Sequence, residues 1–170
     1  ARGERPHRTR DGAGDHDEAF RLALECRRLI DDTDHGRIST LNWLLGSILY
    51  RQGWPTRAVL FGRESVKESQ KGPNAAVVVT TASTLSQLYE SVSEQKLSEE
   101  YLAIAEDAFQ KIPPSFDRTR TDLLLGIVKA TSELHRKKYA EAESLLENNL
   151  DLFSRQPFPA LQRADQSKAA

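Results

Sequence analysis

The sequence predicts an all-α fold of about seven helices, arranged as antiparallel hairpins. Apolar residues recur at helical spacing along most of the chain, and glycine or proline separates the periodic segments at short intervals. Small residues also return at corresponding places in successive segments. With 170 residues, the chain is long enough for one domain with a sizeable core.

The two ends of the chain have compositions that disfavour packing. Residues 1–15 hold four arginines and three glycines with almost no apolar side chain, so burial cannot offset the entropy of ordering them. We expect a disordered basic arm at 1–15, a helical repeat domain at 16–155 and a flexible tail at 156–170, of which Phe158 and Leu161 could cap the last helix. The arm is interpreted as a solvated tail, with contact to an acidic partner or nucleic acid as the alternative.

The overall composition favours a protein of the cell interior. Lysine and arginine number 24 against 25 acidic residues, so the net charge of −1 provides no field that would attract nucleic acid or anionic lipid. No apolar stretch approaches the roughly 18 to 20 residues that a membrane span needs, and the first residues lack the apolar core of a secretory signal. The single cysteine, Cys26, excludes an internal disulfide. We therefore expect an intracellular, cytoplasmic protein without a membrane span.

The first three helices follow from apolar spacing and from the residues that interrupt it. Residues 17–32 form an amphipathic segment, and Gly36 is expected to stop the first helix. The second segment ends at Gly53, and Pro55 can begin the third helix because its missing N–H is unsatisfied there anyway. The apolar stripes consist of Phe20, Leu22, Ala23, Cys26 and Leu29; of Leu41, Leu44, Leu45, Ile48 and Leu49; and of Ala58, Val59, Phe61 and Val66.

The fourth segment, AAVVVTTASTLSQLYESVSE at 75–94, has two possible interpretations. Its VVVTT run is rich in the β-branched residues that strands prefer. Pro73 and Asn74 are helix-start signals, however, and the leucines that follow continue at helical spacing. An isolated strand would also have nothing to pair with. We expect a helix.

Three further helices complete the predicted set. The fifth covers 98–112, with Ser98 as an N-cap before two glutamates, and it stops at the two prolines that follow. The sixth covers 117–138 and the seventh 139–153.

Small residues repeat along these helices. Gly46, Gly53 and Ala58 occupy a first helix, a turn and a second helix, and Ala130 and Ala142 return in the last pair, where Tyr139 holds the aromatic position. The middle pair fits with Ser86, Ala108 and Pro113 only if about three residues are inserted around VSEQKL. A side chain larger than alanine at Gly46 or Ala58 would force the helices apart. The close packing that small residues allow offsets the roughly 1 kcal/mol cost of a mid-helix glycine.

Between residues 37 and 153 this pattern resembles the tetratricopeptide repeat family. The interval from Gly46 to Ser86 to Ala130 is 40 and then 44 residues. Since the usual repeat has about 34 residues, the chain is more similar to the expanded variant found in kinesin light chains. The resemblance implies a right-handed solenoid of antiparallel helical hairpins. A different array of helical hairpins is the alternative.

No constellation in the sequence predicts catalysis, a cofactor or a metal site. Cys26 lies on an apolar stripe without a nearby histidine, which indicates a buried structural thiol. The stretch DDTDHG at 31–36 resembles a calcium loop, but Thr33 and His35 occupy ligand places, so we expect a helix end and a turn. The four histidines are scattered, and no phosphate-binding loop or nucleophile elbow occurs.

The resemblance implies a non-catalytic protein-interaction module, a scaffold or adaptor that binds a peptide or helix in its concave groove. The lysine and asparagine clamp with which chaperone adaptors hold a C-terminal carboxylate is missing, because Trp43, Ser47, Ile127 and Val128 stand there. An aromatic anchor and hydrogen bonds are expected instead of salt bridges. The groove positions that the family register implies are Trp43, Ser47, Tyr50, Ser83, Gln87, Glu90, Ile127, Thr131 and His135.

Two alternatives stay open at this point. Trp43 would be a core residue if the first helix covered it with Phe20 and Leu29. The chain would be the regulatory or targeting region of a larger enzyme or transcriptional regulator if its active part lay outside these residues. The sequence also leaves homo-oligomerisation open.

Overall fold

The structure is a computed structural model that describes residues 13–155, which contain seven α-helices and no strand. The prediction of about seven helices without a sheet is therefore confirmed for this part of the chain. The arm at 1–12 and the tail at 156–170 lie outside the described residues, whereas residues 13–15 of the predicted arm are helical. The helices are α1 (Ala13–Leu29), α2 (His35–Arg51), α3 (Pro55–Ser69), α4 (Ala75–Ser91), α5 (Gln95–Gln110), α6 (Phe116–His135) and α7 (Tyr139–Ser154).

Side-chain caps determine where three of the helices begin. Asp34, Asn74 and Ser115 each accept a hydrogen bond from a backbone N–H in the first turn of α2, α4 and α6. The cap at Asn74 confirms that the β-branched run after it is helical. Gly36 was predicted to stop α1, and this prediction is wrong. Gly36 lies in the first turn of α2, because Asp34 caps a new helix just before it.

The helices pack as three hairpins in chain order. α2 packs with α3, α4 with α5, and α6 with α7, and each connection is too short for anything but an antiparallel pair. α4 also contacts α2, α3 and α6, while α5 contacts α6 and α1 contacts α2. Within the described part of the chain, no helix contact skips a hairpin.

The three hairpins share one turn geometry. Gly53, Ser93 and Lys137 take left-handed φ values of 80°, 63° and 61°. In each turn the following residue donates its N–H over 2.9 Å to a carbonyl five residues earlier, as Trp54 does to Leu49. Residues 93 and 137 lie 40 and 84 positions after Gly53. The turns therefore repeat in the same register as the small residues.

Each hairpin has a pair of small, buried residues twelve positions apart, one on each of its helices. A Cβ atom added to Gly46 would lie 3.2 Å from the carbonyl oxygen of Ala58. In the third hairpin Ala130 and Ala142 are 0% and 1% exposed. The close approach predicted for the opening pair is confirmed.

The middle hairpin corrects two predictions. The Oγ atoms of Ser86 and Ser98 lie 2.9 Å apart and are buried, so Ser98 rather than Ala108 is the partner of Ser86. No residues are inserted, because the left-handed conformation of Ser93 reverses the chain at once. Ser98 is not an N-cap either, since α5 begins three residues earlier at Gln95.

Only part of the apolar stripe predicted for α1 is packed: Phe20 and Ala23 are, whereas Leu22, Cys26 and Leu29 are exposed. Ala23 is buried against α2, and the ring of Phe20 meets that of Phe61 edge-on with 6.0 Å between centroids. Cys26 is exposed, and Leu29 is 86% exposed. The prediction of a buried structural thiol is therefore wrong, because the side of α1 that carries Cys26 faces away from α2.

A small ionic cluster joins α2 and α3 at the end opposite their turn. Glu68 accepts hydrogen bonds from Lys71 Nζ at 2.6 Å and pairs with His35 Nδ1 at 2.8 Å. The Glu68 side chain is mostly covered. The bond from Lys71 lowers the pKa of this carboxyl below its ordinary value, against the opposing effect of burial, and His35 adds to the lowering.

Candidate functional site

A groove of about 750 Å³ runs across the first helices of the three hairpins, α2, α4 and α6, and Gly62 and Ser65 of α3 also line it. His16 of α1 also borders it. The groove forms here because these three helices occupy corresponding places in successive hairpins and lie side by side. Its lining comes from separate segments of the chain that only the packing of the hairpins brings together.

Seven of the nine predicted groove residues line this cavity: Trp43, Ser47, Tyr50, Gln87, Glu90, Thr131 and His135. Ser83 does not, because α4 is packed on several sides and leaves this side chain only 1% exposed. Ile127 is half exposed but lies outside the lining. The structure thus brings most of the predicted positions together, while their role in binding stays a prediction.

The α2 side of the groove carries two aromatic side chains. Trp43 is partly buried and donates its indole N–H to Thr84 Oγ1 of α4 over 3.1 Å. Leu29, which was expected to cover it, is turned out into solvent. Tyr50 is 48% exposed near the hairpin turn. The groove therefore has one fixed indole and one accessible phenol on the same helix.

Toward α6, the groove is bordered by the carboxylate of Glu90 on α4, which is bonded to two side chains of α6. Glu90 accepts a hydrogen bond from the hydroxyl of Ser132, and its other oxygen lies 2.9 Å from Nδ1 of His135. The Glu90 side chain is only 9% exposed, whereas that of His135 is 64% exposed. These bonds join α4 to α6 and hold the carboxylate in place. His135 is the member of this set that an incoming ligand can reach.

No protein-family model, curated protein or solved structure matches this chain. Within residues 13–155, no three histidine, cysteine, aspartate or glutamate side chains are grouped so that they could hold a metal ion. None of the helices described there has the length and hydropathy of a membrane span.

Several lining residues were not predicted from the sequence, among them His16, Leu44, Arg51 and Thr84. Thr84 is the informative case. It follows the buried Ser83 by one residue, which turns its side chain about 100° around the helix toward Trp43. A hydrogen-bond partner sought about one repeat length after Trp43 would have found it.

A second cavity, of about 320 Å³, lies between α6 and α7. Asn149 reaches across it and donates its amide over 3.1 Å to the carbonyl of Leu123. That amide also rests on Gly126, where any Cβ atom would collide with it. Three of the charged side chains here have partners, since Arg155 pairs with Asp151 and Lys129 pairs with Glu106. We interpret this cavity as part of the third hairpin's packing.

Proposed function

We propose that this chain is a non-catalytic protein-interaction module that binds an extended or helical peptide segment of a partner protein in the groove. One observation carries the proposal. Seven positions chosen from sequence register alone, on three separate helices, line a single groove. The groove's volume is large enough for several side chains of a peptide, because ligand pockets typically measure roughly 300 to 1,000 Å³.

The proposal includes the architecture that the tetratricopeptide resemblance implies. The hairpins would wind as a right-handed solenoid whose concave surface is the groove, and the module would serve as a cytoplasmic scaffold or adaptor. The common turn at Gly53, Ser93 and Lys137 supports this view. So do the contacts, which run only between neighbouring hairpins in the described part of the chain.

The chemistry of the groove suggests how a peptide would be held. Tyr50 offers an exposed ring with a hydroxyl that can stay hydrated, which suits it to anchor an apolar side chain. Gln87 supplies an amide in the middle of the groove. Glu90 has committed both oxygens inside the protein, so an aromatic anchor and hydrogen bonds are expected to dominate over salt bridges.

The test begins with peptides selected from a displayed random library on the folded chain. The affinity of a selected peptide is then measured by calorimetry for wild type, Tyr50→Ala, Gln87→Ala and the control Trp54→Ala. Trp54 is an equally exposed aromatic at 53%, but it lies outside the groove and packs against Arg57. The control removes a comparable surface without touching the groove.

We expect Tyr50→Ala to weaken binding by more than about 1 kcal/mol while changing the free energy of unfolding by less than about 0.5 kcal/mol. Trp54→Ala should bind like wild type. If Tyr50→Ala and Gln87→Ala both leave the affinity unchanged, the peptide binds elsewhere and the groove proposal is wrong.

A further inference from the structure

α7 is the last described helix, and one of its faces carries exposed leucines. Leu146 is 40% exposed and Leu150 is 68% exposed. The same face, at helical spacings of three and four, holds the exposed acids Glu143 and Glu147. We call these four residues the end face. Among the described helices, α7 contacts only α6, so none of them covers the end face.

The repeat register shows what covers this position in the earlier hairpins. Leu146 and Leu150 lie 84 residues after Gly62 and Val66 of α3. Both α3 residues are buried, and a Cβ atom at Gly62 would lie 2.9 Å from Leu85 Cδ1 of α4. α5 is likewise packed under α6. In each earlier hairpin, therefore, a helix covers the face that α7 leaves open.

The contact between α5 and α6 also indicates the charge of such a helix. Glu106 of α5 pairs with Lys129 of α6, and Glu99 pairs with Arg136 just after α6 at 2.9 Å. Glu143 lies 44 residues after Glu99, in the corresponding place on α7. α7 itself contains four acidic residues and no lysine or arginine, a net charge of −4. The end face therefore repeats an acidic surface that elsewhere meets basic side chains.

We infer that the end face docks a cationic amphipathic helix of another protein, packed on α7 as α6 packs on α5. Its apolar side chains cover Leu146 and Leu150, and its lysine or arginine side chains lie opposite Glu143 and Glu147. The inference is independent of the groove, which no residue of α7 lines. Failure of either proposal leaves the other intact.

The probe for the test is a fluorescein-labelled helical peptide of about 18 residues, made of leucine and lysine with leucines at i, i+3, i+4 and i+7. The same peptide with glutamate in place of lysine is its charge control. Anisotropy is measured with the full chain as wild type, Leu146→Ser/Leu150→Ser, Glu143→Gln/Glu147→Gln and Leu60→Ser. Leu60 is the matched control, an exposed leucine at 60% on the outer side of α3.

We expect the lysine peptide to bind wild type and the leucine double variant to bind it about tenfold more weakly or worse. The glutamine double variant should lose about threefold at low salt and little at high salt, because exposed charge pairs are screened. Leu60→Ser should bind like wild type, and the glutamate peptide should not bind.

Five results would overturn the inference. Wild type fails to bind the lysine peptide, or the two peptides bind equally well. Leu60→Ser weakens binding as much as the leucine double variant does. Wild type is a dimer and Leu146→Ser/Leu150→Ser is a monomer in analytical ultracentrifugation, which would mean that a second copy of the chain covers the end face. Without any peptide, Leu146→Ser/Leu150→Ser melts about 4 °C or more below wild type, which would mean that the chain covers the end face itself.

Discussion

Replacing the two buried serines of the middle hairpin tests its register directly. Ser86 and Ser98 are 1% and 0% exposed, and their Oγ atoms lie 2.9 Å apart. The corresponding pair in the third hairpin, Ala130 and Ala142, has no hydroxyl. Ser86→Ala or Ser98→Ala therefore leaves one buried hydroxyl without its partner, whereas the double variant recreates the alanine pair of the third hairpin.

The magnitude follows from what each variant leaves behind. An unsatisfied buried polar group costs about 1 to 3 kcal/mol, whereas removing both partners together can be nearly neutral. A hydroxyl left alone in a helix can turn back to the carbonyl four residues earlier, as Thr80 and Thr84 of α4 do, which favours the lower end of this range. We expect about 1 to 1.5 kcal/mol for each single variant and less than about 1 kcal/mol for the double variant.

The assay is urea unfolding followed by far-ultraviolet circular dichroism for the four proteins of the cycle. Ser144→Ala, at an exposed position on α7, is the control for a serine change in a helix. The double variant should be more stable than the sum of the single effects predicts by about 1 to 2 kcal/mol, with unchanged m-values. Simple additivity would show that the two hydroxyls do not share a bond and would refute the corrected register.

Three further predictions concern other contacts of the hairpins. Gly46→Leu and Ala58→Leu should each lower the free energy of unfolding by roughly 1 to 3 kcal/mol through overpacking, measured by urea unfolding; neutral effects would contradict the close approach. Gly126→Ala should stabilise by less than the roughly 1 kcal/mol that a glycine-to-alanine change usually gains inside a helix, because the Asn149 amide must move and lose its bond to Leu123; in the Asn149→Ala background the same change should recover most of that gain in urea unfolding, and equal effects in both backgrounds would contradict this. Because the pKa of Glu68 is lowered in the folded state, its contribution is present above the ordinary carboxyl pKa and is lost as pH falls through the folded-state value. Wild type should therefore exceed Glu68→Gln in stability at neutral pH, and the two should converge in acid; a constant difference would contradict this.

Local signals in the sequence were sufficient for most of the helices and for two of the turns. Asn74 indicated the start of α4 in spite of its β-branched residues, because a side-chain cap acts on the backbone directly after it. Gly53 and Pro55 likewise marked a turn and a helix start. Ser93 gave no such signal, since a serine seldom takes a left-handed φ, and the insertion was wrongly placed beside it.

Contacts between helices that are distant in sequence determine which side chains of α1 and α4 are buried, and local sequence signals do not show these contacts. The apolar stripe predicted for α1 is only partly buried, because Phe61 of α3 and the leucines of α2 contact Phe20 and Ala23 but leave Cys26 exposed. Ser83 belongs to the groove by register, but α4 is enclosed by three other helices besides α5. Groove positions near the ends of the helices, such as Tyr50, escaped this burial and were placed correctly at the cavity.

The neighbour-only contacts of the three hairpins also determine how the molecule would respond to mechanical tension. Pulling on residues 13 and 155 loads a row of units in series, and the unit at an end can detach while the others keep their packing. Each detached repeat of 40 to 44 residues releases roughly 140 to 150 Å of extended chain. A protein built in this way would lengthen under load in discrete steps, one repeat at a time, and not in a single event.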